Sequence, residues 1–243
     1  MNIKIVIEYD GTRYSGWQRQ KNAPTIQETL ETSIGEITGE NISIIGSGRT
    51  DAGVNALGQV ANFETKTKIP IQKLPYAINS KLPEDIVVKD AKMVPKSFHS
   101  RFSAKSKIYA YTIYNAPFPS PIFRKHSLYI SSKLDIPAMA KAAEFLVGIH
   151  DFSAFKASGS PVKSPVRHIK RIEVTKNEAF IEILMEANGF LYNMVRIIAG
   201  TLLEVGMGKI KANDMSSILL SRDRKRAGKT LPPHGLSLLK VIY

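Results

Sequence analysis

Gly48-Arg49-Thr50-Asp51-Ala52-Gly53-Val54-Asn55-Ala56-Leu57-Gly58-Gln59-Val60-Ala61-Asn62-Phe63 places one carboxylate, Asp51, in a turn with glycine on both sides. Glycine tolerates backbone angles and close approach that other residues forbid. The stretch therefore predicts strand, tight turn, strand, with Ile42 to Ile45 and Gln59 to Phe63 as the strands. A carboxylate at such a loop stands where catalytic groups tend to lie. The plain alternative is an Asx-turn, in which Asp51 bonds its own backbone. Upstream, Lys4 to Tyr9 alternates as a strand, and Thr25-Ile26-Gln27-Glu28 is a capping box opening a helix that ends near Gly39. Downstream, Pro70 to Leu82 reads as a second helix and Ile86 to Val94 as a strand. The order strand, helix, strand, strand, helix, strand is the split βαβ, or ferredoxin-like, pattern.

The second half repeats that order loosely. Lys107 to Asn115 is a tyrosine-rich strand, and Ile136 to Val147 a helix stopped by Gly148. Ile169 to Thr175 and Ala179 to Met185 pair as strands, Phe190 to Val205 is a long apolar helix, and Asn213 to Leu220 a shorter one. Leu236 to Tyr243 closes the chain as a strand, and the Ser/Pro-rich span Ala157 to Pro165 reads as a loop. The expected class is α+β, with two ferredoxin-like (RRM-like) halves, 1–100 and 101–243, dividing near Pro95 to Ser106.

Charge narrows the partner. Thirty-four Lys and Arg against 21 Asp and Glu leave a formal +13 over 243 residues, an excess best explained by a polyanion, either nucleic acid or an anionic membrane surface. No run approaches the ~20 apolar residues of a spanning helix. The N-terminus, Met1-Asn2-Ile3-Lys4-Ile5-Val6-Ile7-Glu8, alternates like a strand and does not resemble a signal peptide. Nucleic acid and a cytoplasmic location are the expectation. Cysteine is absent, which removes disulfides, thiolate nucleophiles and Cys-based zinc sites. The five histidines form no His-Glu-x-x-His pair.

Gly46-Ser47-Gly48 begins like a dinucleotide fingerprint, but Asp51 stands where the third glycine belongs and would repel a pyrophosphate. No nucleotide cofactor is expected, and neither a Gly-x-Ser-x-Gly elbow nor a Walker loop occurs. Tyr9-Asp10-Gly11-Thr12-Arg13-Tyr14-Ser15-Gly16-Trp17-Gln18 interleaves aromatics, arginine and amide between glycines. Planar side chains stack on unpaired bases while guanidinium groups hold phosphates, so Arg13, Tyr14, Trp17 and Gln18 are candidate RNA contacts; a hairpin loop with a few exposed aromatics is the alternative. Arg196 lies almost opposite the stripe Leu191, Met194, Val195, Ile198, Leu202 and Val205. A solvent-facing Arg is the plain alternative, but Ile197 and Leu203 make that side apolar too, so an Arg buried there needs an anion, for which Asp51 is a candidate. Tyr109 and Tyr111 share one strand face and Tyr114 the other; core packing is the plain alternative for all three, while Lys105 and Lys107 favour an RNA-facing edge for Tyr109. Basic clusters at Lys163, Arg167, Lys170 and Arg171, and at Arg222, Arg224, Lys225 and Arg226, suit a phosphate track or a solvated surface.

Together these residues resemble the TruA family of tRNA pseudouridine synthases. The resemblance runs through Tyr9-Asp10-Gly11 with Gly16-Trp17-Gln18, Gly48-Arg49-Thr50-Asp51-Ala52-Gly53-Val54, and Lys107-Ile108-Tyr109-Ala110-Tyr111. It continues in Asp151-Phe152-Ser153, Met194-Val195-Arg196 with Gly200, Ala227-Gly228 and Pro233-His234-Gly235-Leu236. It implies Asp51 as the essential carboxylate, Arg196 as its partner, Tyr109 against a flipped uridine, and Arg49 beside the displaced base. It also implies a basic cleft between the halves, a homodimer, no cofactor, no metal, and action on tRNA uridines 38 to 40. Asn55 departs from the pattern, standing where the family commonly has His; an amide there keeps hydrogen-bonding capacity but not imidazole chemistry. A non-catalytic RNA-binding protein and an Asp-dependent nucleoside hydrolase are the rival readings.

Overall fold

The computed structural model describes residues 1–159 and 164–243. Within them the chain forms two compact units, Met1–Lys105 with Ser237–Tyr243, and Ser106–Leu236. Both mix helices with largely antiparallel strands.

In the first unit β1 (Asn2–Tyr9) leads to α1 (Ile26–Thr38), β2 (Ile45–Gly46), β3 (Asn55–Glu64), α2 (Leu74–Asn79) and β4 (Ile86–Val94). β1 pairs antiparallel with β3 on one side and β4 on the other, and β2 pairs antiparallel with β3. Alternation decides which face is buried: Ile3, Ile5, Ile7 and Tyr9 of β1 face inward with Ile26, Leu30 and Ile34 of α1. The helix begins as the capping box requires, with the Thr25 hydroxyl accepting from Glu28 N at 3.4 Å, and ends at Gly39, which takes φ +71°.

Two expected elements are shorter than their sequence patterns. The run Ile42 to Ile45 contributes only Ile45–Gly46 to a ladder; Ile42 and Ile44 bury their side chains as core residues without strand pairing. Pro70 to Leu82 yields a helix only over Leu74–Asn79, because proline is favoured at the start of a helix and disfavoured inside one, and Pro75 sits at its start.

The second unit runs β5 (Ser106–Asn115), β6 (Leu128–Ile130), α3 (Ile136–Glu144), β7 (Gly148–Asp151), β8 (Val166–Asn177), β9 (Phe180–Ala187), α4 (Met194–Gly206) and α5 (Asp214–Ser221). β5, β9, β8 and β7 pair in that order, each antiparallel to the next, and β6 adds to β5 in parallel. β6 and β7 are too short to carry a period in the sequence. α4 starts four residues later than the apolar pattern, because Asn193 adopts a left-handed φ of +58° and interrupts the helix there. The loop expected over Ala157 to Pro165 lies partly outside the described residues, as does Lys163.

The chain closes with β10 (Leu236–Ile242), whose Ser237 and Leu238 pair in parallel with Asn55 and Ala56 of β3. The final residues thus return to the first unit and lie along the strand that leaves the Asp51 turn. Gly58 permits this approach, since a Cβ there would run into the Leu239 carbonyl. No helix among the described residues is long and apolar enough to cross a membrane.

Candidate active site

The candidate site residues fall into two groups, one in each unit. In the first unit the Asp51 turn is held by backbone contacts from the loop that follows β1. Val54 N donates to Asp51 O at 3.1 Å, closing the turn, and Gly53 supplies the φ of +75°. Trp17 N donates to Thr50 O at 3.0 Å and Gly53 N to Tyr14 O at 3.3 Å, so the loop brackets the turn on both sides of Asp51. Two glycines make this approach possible. A Cβ on Gly11 would collide with the Val54 carbonyl, and one on Gly16, which has φ +92°, would sit 2.6 Å from Thr50 O.

Side chains complete the clamp. The Tyr9 hydroxyl and Thr50 Oγ1 lie 2.8 Å apart in the core. Burial pushes the Tyr9 phenol up to about 12, outweighing its bonds to Thr50 and Gln59, so it remains neutral at physiological pH. Gln59 fixes the N-terminal approach: its Oε1 accepts from Ser47 Oγ at 2.6 Å and its Nε2 donates to Gly48 O at 3.1 Å. Asn55 Oδ1 accepts from Gly11 N at 2.8 Å while the residue is 5% exposed. Its amide therefore ties the two loops together. Asp51 itself is half-buried, with exposed Arg49 and Ala52 on either side.

The aromatics expected to meet RNA are engaged differently. Trp17 is 2% exposed, its indole resting on the Gly46 backbone and 6.3 Å from the Tyr9 ring. It is a core residue, and the signal missed was Gly46, whose missing side chain leaves room for the ring. Tyr14 is also buried, and its hydroxyl donates to Asp85 Oδ1 at 2.7 Å. Arg13 Nη2 meets Oδ2 of the same carboxylate at 2.7 Å, so Asp85 ties the loop to the residue before β4. Gln18 Nε2 donates to Gln27 Oε1 at 2.7 Å, joining the loop to α1. These side chains stabilise the loop rather than presenting free planar faces.

In the second unit the group centres on Arg196. α4 is buried on every side except at Arg196 and Glu204, which are partly covered. Arg196 Nε donates to Leu231 O at 2.7 Å and Nη1 to Asn193 Oδ1 at 2.8 Å. Both acceptors are neutral oxygens, and together they fix the direction in which the guanidinium points. The first comes from the segment Gly228–Leu231, which lies directly on α4. A Cβ on Gly200 would strike the Lys229 carbonyl, and Thr201 Oγ1 accepts from Gly228 N at 2.9 Å. Sequence reasoning used Gly200, and quoted Gly228 only as part of the family resemblance, but gave no part to Asn193; the readable signal was an Asn inside the apolar stripe, just before the observed helix start.

Two ionisable side chains near Arg196, Tyr111 and His234, are shifted toward their neutral forms. Burial raises the Tyr111 phenol, more than the Arg196 charge lowers it, and its hydroxyl donates to Pro232 O at 2.9 Å. Burial also lowers His234, assisted by the charges of Arg196 and His126 and opposed by a bond to the Ser127 backbone. Tyr109 shares the Tyr111 face and is 7% exposed, with its ring edge-on to Phe190 at 5.2 Å. Of the basic clusters, Lys170 and Arg171 meet Glu186 at 3.5 and 3.4 Å, and Arg222 meets Asp151 at 3.1 Å. These side chains already serve carboxylates of their own unit.

A family model described as tRNA pseudouridine synthase matches residues 5–103 and 142–243. The chain belongs to the TruA family of tRNA pseudouridine synthases. Pseudouridine synthases are isomerases. The chain is 58% identical to "tRNA pseudouridine synthase A" of Thermoanaerobacter sp. (strain X514), covering 100% of this chain and 99% of that protein. It is 51% identical, over the same shares, to the protein of that name from Acetivibrio thermocellus. Among solved structures, an H/ACA RNP bound to a substrate RNA containing 2'-deoxyuridine shares 12% identity, with a TM-score of 0.39 over 83% of this chain and 44% of that one. That likeness carries no weight here.

In a TruA family member the clamp on the Asp51 turn gives a direct expectation. Gly16→Ala places a methyl against backbone at positive φ and should lower stability by roughly 1–3 kcal/mol. With Asp51 as the reacting carboxylate, as proposed below, displacing the turn by about an ångström should cost on the order of 10²-fold in pseudouridine formation. Gly39→Ala is the control: it also strains a positive φ, but its Cβ meets nothing within 4 Å. Chemical denaturation and tRNA isomerisation assays should show both variants destabilised and only the Gly16 variant strongly impaired. Equal activity in the two would contradict the clamp.

Proposed function

We propose that this chain converts uridine to pseudouridine at positions 38 to 40 of the tRNA anticodon stem-loop, with Asp51 as the nucleophile. The observation that carries this reading is the half-buried carboxylate on a turn bracketed by the loop after β1 and flanked by exposed positions. A group so held reaches a substrate without first having to be ordered.

The reaction needs no external oxidant or energy carrier. The N1–C1′ bond breaks, the base turns, and a C5–C1′ bond forms; C5 loses a proton and N1 gains one. The target nucleotide must first leave the stack, at a cost of a few kcal/mol that basic and aromatic contacts offset. Asp51 acts as an ionised nucleophile. Arg196, oriented by Asn193 and Leu231, pairs with Asp51 in this reading and keeps it ionised and aimed. Tyr109 contacts the flipped base, and exposed Arg49 approaches the RNA beside it. Arg13 and Gln18 stay as RNA contacts only through the outer parts of their side chains.

The larger frame follows the same reading. We take the halves as ferredoxin-like units enclosing a basic cleft, with 1–100 carrying the nucleophile and 101–243 completing the site. The strand order β4, β1, β3, β2 supports this for the first half. The excess of cations, +13 in all, suits a tRNA-sized polyanion. The enzyme works as a cytoplasmic homodimer.

Two substitutions test the proposal. Asp51→Ala should abolish isomerisation and leave tRNA affinity within a few-fold, with tritium release from 5-labelled uridine in tRNA as the measurement. Free uracil would instead indicate a hydrolase, and binding without either product a non-catalytic RNA binder. Arg196→Lys should lower activity by at least ~10²-fold, because a point charge cannot reproduce the geometry of a planar guanidinium. Wild-type turnover in that variant would remove the ion pair from the mechanism.

A further inference from the structure

The segment Pro95 to Lys105 carries a group of side chains that the proposed reaction does not use. Phe102 is 77% exposed. The His99 and Phe102 rings lie 4.2 Å apart at 31°, and the Arg101 guanidinium sits 5.7 Å from the Phe102 centroid. His99 Nδ1 accepts from the Arg101 and Phe102 backbone N–H groups at 3.2 and 3.3 Å. That role assigns the ring proton to Nε2 and holds the imidazole and the phenylalanine backbone in one arrangement.

A single exposed phenylalanine is ordinary on a protein surface. This one is distinguished by what supports it. Ser100, fully buried, donates from both N and Oγ to Asn62 Oδ1 at 2.8 and 2.7 Å. Asn62 Nδ2 donates in turn to Asn2 Oδ1 at 3.0 Å, and Asn2 Nδ2 donates to Phe98 O at 3.0 Å and Pro95 O at 3.1 Å. The Tyr243 hydroxyl donates to Ser100 O at 2.9 Å, and Ser103 N donates to His99 O at 2.9 Å. Buried amides are costly unless fully satisfied. Here they are used to fix the loop that holds an apolar ring out in water.

The surrounding charge indicates what the ring meets. Lys96, Arg101 and Lys105 lie within six residues of Phe102, and among the described residues none of the three forms an ion pair. An apolar protein partner would have to desolvate these cations. Single-stranded RNA supplies both a flat base for the ring and phosphates for the cations. We propose that Phe102, backed by His99 and flanked by Arg101, is a stacking platform for an unpaired base of the RNA substrate. This rests on the tRNA reading above, since it names a further contact with the same substrate.

The test uses the full chain and unmodified tRNA transcripts. Phe102→Ala should raise the Kd for tRNA between about 5- and 150-fold, the range for loss of one base–aromatic stack, with the melting temperature unchanged because the ring is exposed. Phe102→Trp should retain affinity. It also adds an exposed indole to a chain whose only other one, Trp17, is buried, so tRNA should quench its emission saturably. Unchanged affinity in the Ala variant, or no quenching in the Trp variant, would overturn the proposal. So would a Phe102→Ala chain that sediments as a smaller species than wild type, because the ring would then contact a second copy. Saturable quenching in the Phe102→Trp variant and weakened binding in the Phe102→Ala variant, with wild-type protein that binds tRNA but forms no pseudouridine, would refute the function and leave the platform standing.

Discussion

The structure depends on one close approach, that of the glycine-bearing loop after β1 to the turn that carries Asp51. Gly11 lies against Val54 and Gly16 against Thr50 at separations that leave no space for a side chain. The hydrogen bonds from Trp17 N and Gly53 N then run between two backbones, not through flexible side chains. In the proposed mechanism a backbone clamp of this kind serves catalysis, because it positions the carboxylate before the substrate arrives. The buried residues around it serve the same end. Trp17 fills the space over Gly46, Tyr9 reaches Thr50, and the Asn55 amide joins the two loops.

The second unit solves a related problem for a cation. A guanidinium on a helix buried nearly all round is expensive unless its donors are satisfied. Asn193 and the Leu231 carbonyl satisfy two of them without neutralising the charge. The neighbouring Tyr111 and His234 are shifted toward their neutral forms by burial, which disfavours a second full charge beside the first. The two bonds give the guanidinium a fixed direction. In the proposed mechanism its anionic partner is Asp51.

Much of this was legible in the residues. The capping box at Thr25 and the stop at Gly39 depend on local chemistry, and α1 begins and ends where they indicate. Ile86–Val94 follows from alternation alone. The Asp51 block stood out because glycine spacing is a direct statement about backbone geometry. The failures share a cause: they depend on contacts distant in sequence. Nothing near Trp17 signals that Gly46 will receive its indole, and nothing near Tyr14 or Arg13 signals Asp85, more than seventy residues away. Short strands such as β6 and β7 exist because a neighbour offers a free edge, not because their residues demand it. Phe102 was invisible for the opposite reason, since exposure is a property only the folded chain has.

The clamp makes a claim about position as well as charge, and one substitution separates the two. Asp51→Glu retains the carboxylate and leaves the glycine contacts intact, but carries the oxygens about one methylene further out. Single-turnover pseudouridine formation, with enzyme in excess over tRNA, reads the chemical step without interference from binding. The account predicts a loss of at least ~10²-fold relative to wild type, because a displacement of about an ångström removes the near-attack geometry. A glutamate variant that reacts within a few-fold of wild type would show that charge alone suffices, and would contradict the role assigned to the clamp.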